Sequence, residues 1–230
     1  MSTGPLKPAH AADAAAELGA DEADALARDW WRRVPMLLTA PRQVFAALAR
    51  SDEADVAARA EPVLAITILA GMAAVLITPA WGGLMDDPTV DGMVVVVLTF
   101  VGGLLYGAAG YFLLGLALWL GAKAVGVDAP VRIVRQLLGF AALPVALSLL
   151  VLVPAIVLGF GSDWFRDGGE DEGAGRAVVV GLGLASVAWT MGLVALGLRT
   201  TFRLPWHGVV GALSLAAVMV AAFGVLPSAL

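Results

Sequence analysis

Histidine, the hydroxyl residues and the carboxylates are the side chains with which this chain could do chemistry. His10 and His207 are far apart and on different segments, so neither supports the other in a metal site. Ser148, Ser186, Thr190 and Ser214 fall in apolar runs. An intramembrane hydrolase would need one of them beside a His or Lys base. His207 is the histidine close to a span, while hydroxyls in such runs ordinarily bond backbone or a neighbouring helix. In WGGLMDDPTVDG, the residues Asp87, Thr89, Asp91 and Gly92 imitate the start of a calcium loop. The bidentate glutamate position falls on Leu98, however, so a polar turn is the expected structure. GSDWFRDGGEDEGAGR clusters carboxylates around Gly168 and Gly169 and reads as a solvated loop. The absence of cysteine excludes disulfides, thiolate metal sites, a Cys nucleophile and a lipoprotein anchor. No catalytic, cofactor-binding or metal-binding residue is therefore assigned, and the chain is read as a non-enzyme.

The elements that would carry such groups are apolar. Of 230 residues, 60% are hydrophobic and 14% charged, with a mean hydropathy of +0.88; this composition points to lipid as solvent. Five runs, at about 62–81, 93–120, 137–160, 177–198 and 209–230, contain no Asp, Glu, Lys, Arg or His. Each has the length needed to cross a bilayer as a helix. Without period-2 alternation, a helix is the way such a run satisfies its backbone in lipid. Ionisable groups inside spans usually mark proton relays and ion paths; their absence from these runs argues against a pump, a proton-coupled transporter or a zinc-dependent intramembrane protease.

Basic residues orient the bundle. With the N-terminus inside, all of the 14 Lys and Arg residues except Arg166 and Arg176 are inside, as the positive-inside rule requires. Asp86, Asp87, Asp91, Asp163, Asp167, Glu170, Asp171 and Glu172 then lie outside. The N-terminus is expected in the cytoplasm and the C-terminus outside. Residues 1–27, rich in Ala and acids, have little to bury and read as a flexible cytoplasmic tail without signal-peptide character.

Residues 28–61 read as an amphipathic juxtamembrane segment. RDWWRRVPMLLTAPRQVFAAL sets Trp30 and Trp31 among Arg28, Arg32 and Arg33, a pairing suited to the interface. Pro41 can start a helix on which Val44, Phe45 and Leu48 share a face between Arg42 and Arg50. Trp30, Trp31, Arg32, Arg33, Arg42, Phe45 and Leu48 are thus the expected interfacial anchors. Arg132 and Arg135 of the second inner loop are expected to reach headgroups in the same way. Gly103, Gly107 and Gly110 suggest close helix contact along the second span. Pro144 and Pro154 break the third, and a packing kink is the expected result.

The order of these features resembles the Yip family of five-span membrane proteins, in particular its bacterial branch. It comprises a Trp-and-basic stretch, LLTAPRQVFAALAR, a Pro-led first span, an outer Pro/Asp turn, a Gly-rich second span, and LLGFAALPVALSLL with Phe140 and Pro144 in an aromatic-x-x-x-Pro pattern. The resemblance implies an all-α bundle of five transmembrane helices with a short amphipathic helix before the first. It implies no catalytic residue. Eukaryotic members bind lipidated small GTPases and partner Yip proteins in vesicle traffic, machinery that bacteria lack. The expectation is a multi-pass protein of the bacterial inner membrane that organises lipid or membrane-protein partners, a second copy of itself among them, and no nucleic acid. A transporter or permease component is the main alternative, and an intramembrane hydrolase the third.

Overall fold

The computed structural model describes residues 25–49, 53–77, 84–87, 89–166 and 174–225. Among these residues the regular structure is helical throughout. A helix over residues 25–33 (α1) is followed by two short ones, α2 (Met36–Thr39) and α3 (Pro41–Leu48), and then by α4 (Glu53–Ala58) and α5 (Ala60–Ile77). α6 (Gly92–Ala109) continues through a π-helical turn at Gly110–Leu114 into α7 (Gly115–Ala124). After α8 (Val131–Ala141) and α9 (Leu143–Gly159) come α10 (Ala174–Phe202) and α11 (Trp206–Val225).

Four helical stretches are long and apolar enough to cross a membrane: Asp55–Ile77, Gly92–Ala124, Val131–Gly159 and Ala174–Phe202. Trp206–Ala221 is a shorter apolar helix. Large apolar side chains stand outward along them, with Leu158 85% exposed, Leu150 73% and Met93 71%. A water-soluble surface rarely carries apolar patches on that scale.

Two helix breaks follow from proline. Pro62 has no N–H for the Ala58 carbonyl, and the chain turns at Arg59 between α4 and α5. Pro144 has none for the Phe140 carbonyl, and the third apolar stretch breaks at Ala142, between α8 and α9. By contrast, α9 runs on through Pro154, which lies in its interior.

α5 is central, packed against α6, α8, α9 and α10, while α11 lies along α7. Where α5 meets α6 the backbones touch. A Cβ on Gly71 would strike the Gly103 carbonyl oxygen, one on Gly103 would come within 2.9 Å of the Met72 backbone, and one on Gly107 would come within 2.5 Å of the Thr67 carbonyl oxygen. The expected Gly103 and Gly107 contact is thus with α5, and Gly71 completes it. Gly110 sits instead at the π turn, where a Cβ would meet only Leu114 Cδ1, at 3.9 Å.

The buried side chains form two clusters, one at each end. At one end Trp30, Leu37, Phe45, Leu48, Leu137, Phe140 and Leu198 meet; at the other, Leu76, Val95, Leu152, Ile156, Trp164 and Phe165. Trp164 secures the second by donating its Nε1–H to the Leu76 carbonyl at 3.0 Å. Two carboxylates of the connection before α6 are engaged locally. Asp87 Oδ1 accepts from Thr89 N at 2.8 Å and from Thr89 Oγ1 at 2.7 Å, and Asp91 Oδ1 caps α6 by accepting from Val94 N at 2.9 Å. These bonds hold the Asp87 carboxyl below its usual range.

Candidate functional site at the tryptophan-capped end

The two proline-induced breaks bring Arg59 and Phe140 to the same end of the bundle, and Trp30 lies against both. Its indole is 1% exposed and stacks on Phe140, with centroids 5.6 Å apart and planes at 26°. The guanidinium carbons of Arg33 and Arg59 lie 4.5 and 5.2 Å from the indole, within cation–π range. The indole N–H, which a buried tryptophan must satisfy, donates to Asp55 Oδ1 at 3.2 Å.

Arg59 is fully buried. Its Nε–H donates to Gln136 Oε1 at 2.5 Å, and Gln136 Nε2 in turn donates to the Val56 carbonyl at 3.0 Å. Gln136 therefore offers its acceptor to the turn at Arg59 and its donor to α4, which suits an amide and would not suit a carboxylate. A buried cation needs such partners, because desolvation is costly.

The α3 helix closes the remainder of this end. Val44, Phe45 and Leu48 are all at most 1% exposed, and burial of this kind contributes roughly 1.5–3 kcal/mol per side chain relative to water. Thr201 Oγ1, from α10, donates to the Phe45 carbonyl at 3.0 Å, satisfying one of the acceptors that a helix end leaves open.

Beside this cap, Arg135 is half-buried and lies over the π turn. Its guanidinium carbon is 5.6 Å from the Tyr111 ring and 4.9 Å from that of Phe112. Gly115 makes room for its methylenes, since a Cβ there would collide with Arg135 Cγ. Arg135 Nε is buried without a hydrogen-bond acceptor.

A family model described as the Yip1 domain matches residues 36–226. The chain belongs to the Yip1 family. No curated protein and no solved structure matches it. The Yip1 match begins at Met36, so α3 lies inside the matched region, whereas Trp30, with Arg33 over its ring, comes from just before it and closes onto Phe140 within it.

The structure divides the residues expected at the membrane interface. Trp31, at 39% exposure, and Arg32, Arg42 and Arg132 face outward. Trp30, Phe45 and Leu48 do not: side chains with at most 1% exposure have no surface to give to lipid, and their apolar face packs on the bundle instead. Arg33 pairs with Asp29, one helical turn back, and Arg135 covers two aromatic rings rather than projecting freely. Phe140, expected only as part of a proline pattern, is the floor beneath Trp30.

Sequence reasoning counted Arg59 only as one more basic residue and passed over Gln136 as a loop residue. The signal for Arg59 is its position three residues before Pro62, the place where a helix must break. No pattern in the sequence points from Arg59 to Gln136, because they are 77 residues apart. Of the hydroxyls considered for catalysis, Ser148 Oγ donates to the Val145 carbonyl at 2.6 Å and Ser186 Oγ to that of Leu182 at 3.0 Å, within their own helices, while Thr190 Oγ1 is buried without a hydrogen-bond partner. His207 is exposed at the start of α11.

Proposed function

We propose that this Yip1-family membrane protein is a non-enzymatic, five-span organiser of membrane proteins or lipids in a bacterial cytoplasmic membrane, with its N-terminus in the cytoplasm. The observation that carries the reading is the closed cap. Trp30 stacks on Phe140 and lies beside Arg59, and Arg59 donates to Gln136, so these side chains tie the helices of this end together rather than line an open reaction site. Trp31, Arg32, Arg42 and Arg132 are left facing outward on that surface, where they suit an anionic membrane face and a docked partner. With Trp206–Val225 counted as a span, the C-terminus lies outside, and Arg166 and Arg176 are the basic residues on the outer side.

The cavity at the opposite end supports this reading over a permease. It has a volume of about 400 Å³ between α5, α6 and α9, and Met72, Leu76, Val95, Ile156 and Phe165 line it, with Thr99 and Ser162 supplying hydroxyls. Solute pathways at broken helices use free carbonyls and polar groups, whereas this lining is almost wholly apolar.

The test is photocrosslinking in native membranes from positions 31, 42 and 132, with Val97 on the lipid side as control. Reproducible capture of the same membrane protein from the first three positions, and not from the fourth, is expected; a second copy of the chain counts as such a protein. Absence of any reproducible adduct, together with unchanged lipid packing on reconstitution, would overturn the proposal. Protease access to an N-terminal tag from outside would overturn the orientation.

A further inference from the structure

Between α5 and α6, beside the Gly107 contact, a groove of about 250 Å³ opens laterally. It runs from Leu104 on α6 to Phe112 in the π turn, a rise of about 12 Å, with Leu64 and Ile68 forming the opposite wall. Leu64, Leu104 and Phe112 are exposed at its mouth, so a membrane-embedded bundle presents the groove to hydrocarbon. Thr67 in its wall donates to the Val63 carbonyl at 2.7 Å, so the lining is apolar apart from that engaged hydroxyl and the phenol of Tyr111.

Arg135 stands at the Phe112 end of this groove. Its guanidinium rests on Tyr111 and Phe112, both of which also line the groove. No hydrogen bond or ion pair among the described residues engages it, neither with Glu61 nor with Asp128, and its Nε is buried without an acceptor. A guanidinium held in one plane by ring contacts and lacking a carboxylate matches the geometry of a phosphate. Arg132, one turn earlier on α8, is exposed and adds a second positive charge on the same helix face.

The geometry points to a binding site for one anionic phospholipid, its phosphate on Arg135 and one acyl chain lying in the α5–α6 groove. The apolar length and the cation occur together at one end of one groove, the arrangement a lipid requires and a free anion does not. Assignment to the cytoplasmic leaflet rests on the orientation proposed above; occupancy itself does not.

The test uses the full chain reconstituted in phosphatidylcholine vesicles with a minor fraction of phosphatidylglycerol, extracted in mild detergent and weighed by native mass spectrometry. The wild-type protein is expected to retain one phosphatidylglycerol in preference to phosphatidylcholine. Arg135→Gln should lower that retention about tenfold or more, as loss of a charge-assisted hydrogen bond does. Ala108→Trp, which fills the groove and leaves the arginine in place, should lower it as well, and Leu104→Trp at the mouth serves if that variant does not fold. Arg166→Gln, at an exposed position next to Phe165 at the opposite end of the bundle, should retain the lipid as the wild type does. Equal retention of both lipids, or wild-type retention by folded Arg135→Gln and groove-filled variants, overturns the site. So does crosslinking of the acidic N-terminal tail to position 135, which would make the tail the occupant. The measurement is blind to leaflet, so a failed orientation and a failed lipid site give different results.

Discussion

Trp30 and Phe140 are 110 positions apart in the chain, yet their rings lie 5.6 Å from each other with planes 26° apart, and neither has more than 1% of its surface exposed. The contact joins a helix before the matched Yip1 region to the break in the third apolar stretch. It makes the N-terminal segment a part of the folded protein. Replacing Trp30 with alanine should therefore destabilise the bundle by about 3–5 kcal/mol, the usual cost of emptying a large aromatic site. Thermal unfolding in detergent measures it. A double-mutant cycle with Phe140→Leu should show about 0.5–1.5 kcal/mol of coupling, and additive single effects would mean that the stacking does not contribute.

Arg59 and Gln136 form the polar part of the same cap. Gln136→Leu removes the acceptor from a buried guanidinium and should cost at least about 1.5–3 kcal/mol, the value of a hydrogen bond to a charged group. Arg59→Met combined with Gln136→Leu should recover part of this loss, because an apolar pair of similar shape leaves no charge to desolvate. The comparison is made on unfolding midpoints of the single and double variants. A double variant less stable than the sum of the singles would contradict the assignment.

The close approach of α5 and α6 separates the glycines. Gly71→Ala and Gly107→Ala each place a methyl group against backbone atoms of the partner helix, which cannot rotate away as a side chain can. A loss of roughly 1–3 kcal/mol is expected, as for overpacking in a core. Gly110→Ala meets only Leu114 Cδ1 at 3.9 Å and should be tolerated within about 0.5 kcal/mol. Yield of folded protein after detergent extraction and its unfolding temperature discriminate the three.

The exposed Asp87 turn gives a pH prediction. Hydrogen bonds from the Thr89 backbone N–H, first, and from the Thr89 hydroxyl hold the Asp87 carboxyl below the ordinary aspartate value of 3.8. Since the folded pKa is the lower one, the stabilisation from this turn is present above the unfolded pKa and fades as pH falls through the folded one. Thr89→Val removes the hydroxyl and should move the Asp87 carbon titration, followed by NMR, upward toward 3.8. An unchanged titration would show that the side-chain bond does not form.

The membrane character, the apolar helices and the family were legible in sequence because each rests on local information. Uninterrupted apolar length makes a span, and proline before a span marks a break. Helix α3 was legible too, with Val44, Phe45 and Leu48 on one face, since the 3.6-residue period is a property of the segment alone. What that face meets was not. An amphipathic stripe is satisfied equally by lipid and by protein, and only the approach of α8 and α10 decided for protein at Trp30, Phe45 and Leu48. Tertiary structure likewise turned Arg59 from a surface charge into a buried donor, gave Gln136 its role, and set Arg135 over Tyr111 and Phe112 at the head of a groove. These depend on pairs of residues 23 to 156 positions apart, whose meeting is fixed by how helices cross. The sequence states the surfaces each helix has to bury; the fold alone states against what.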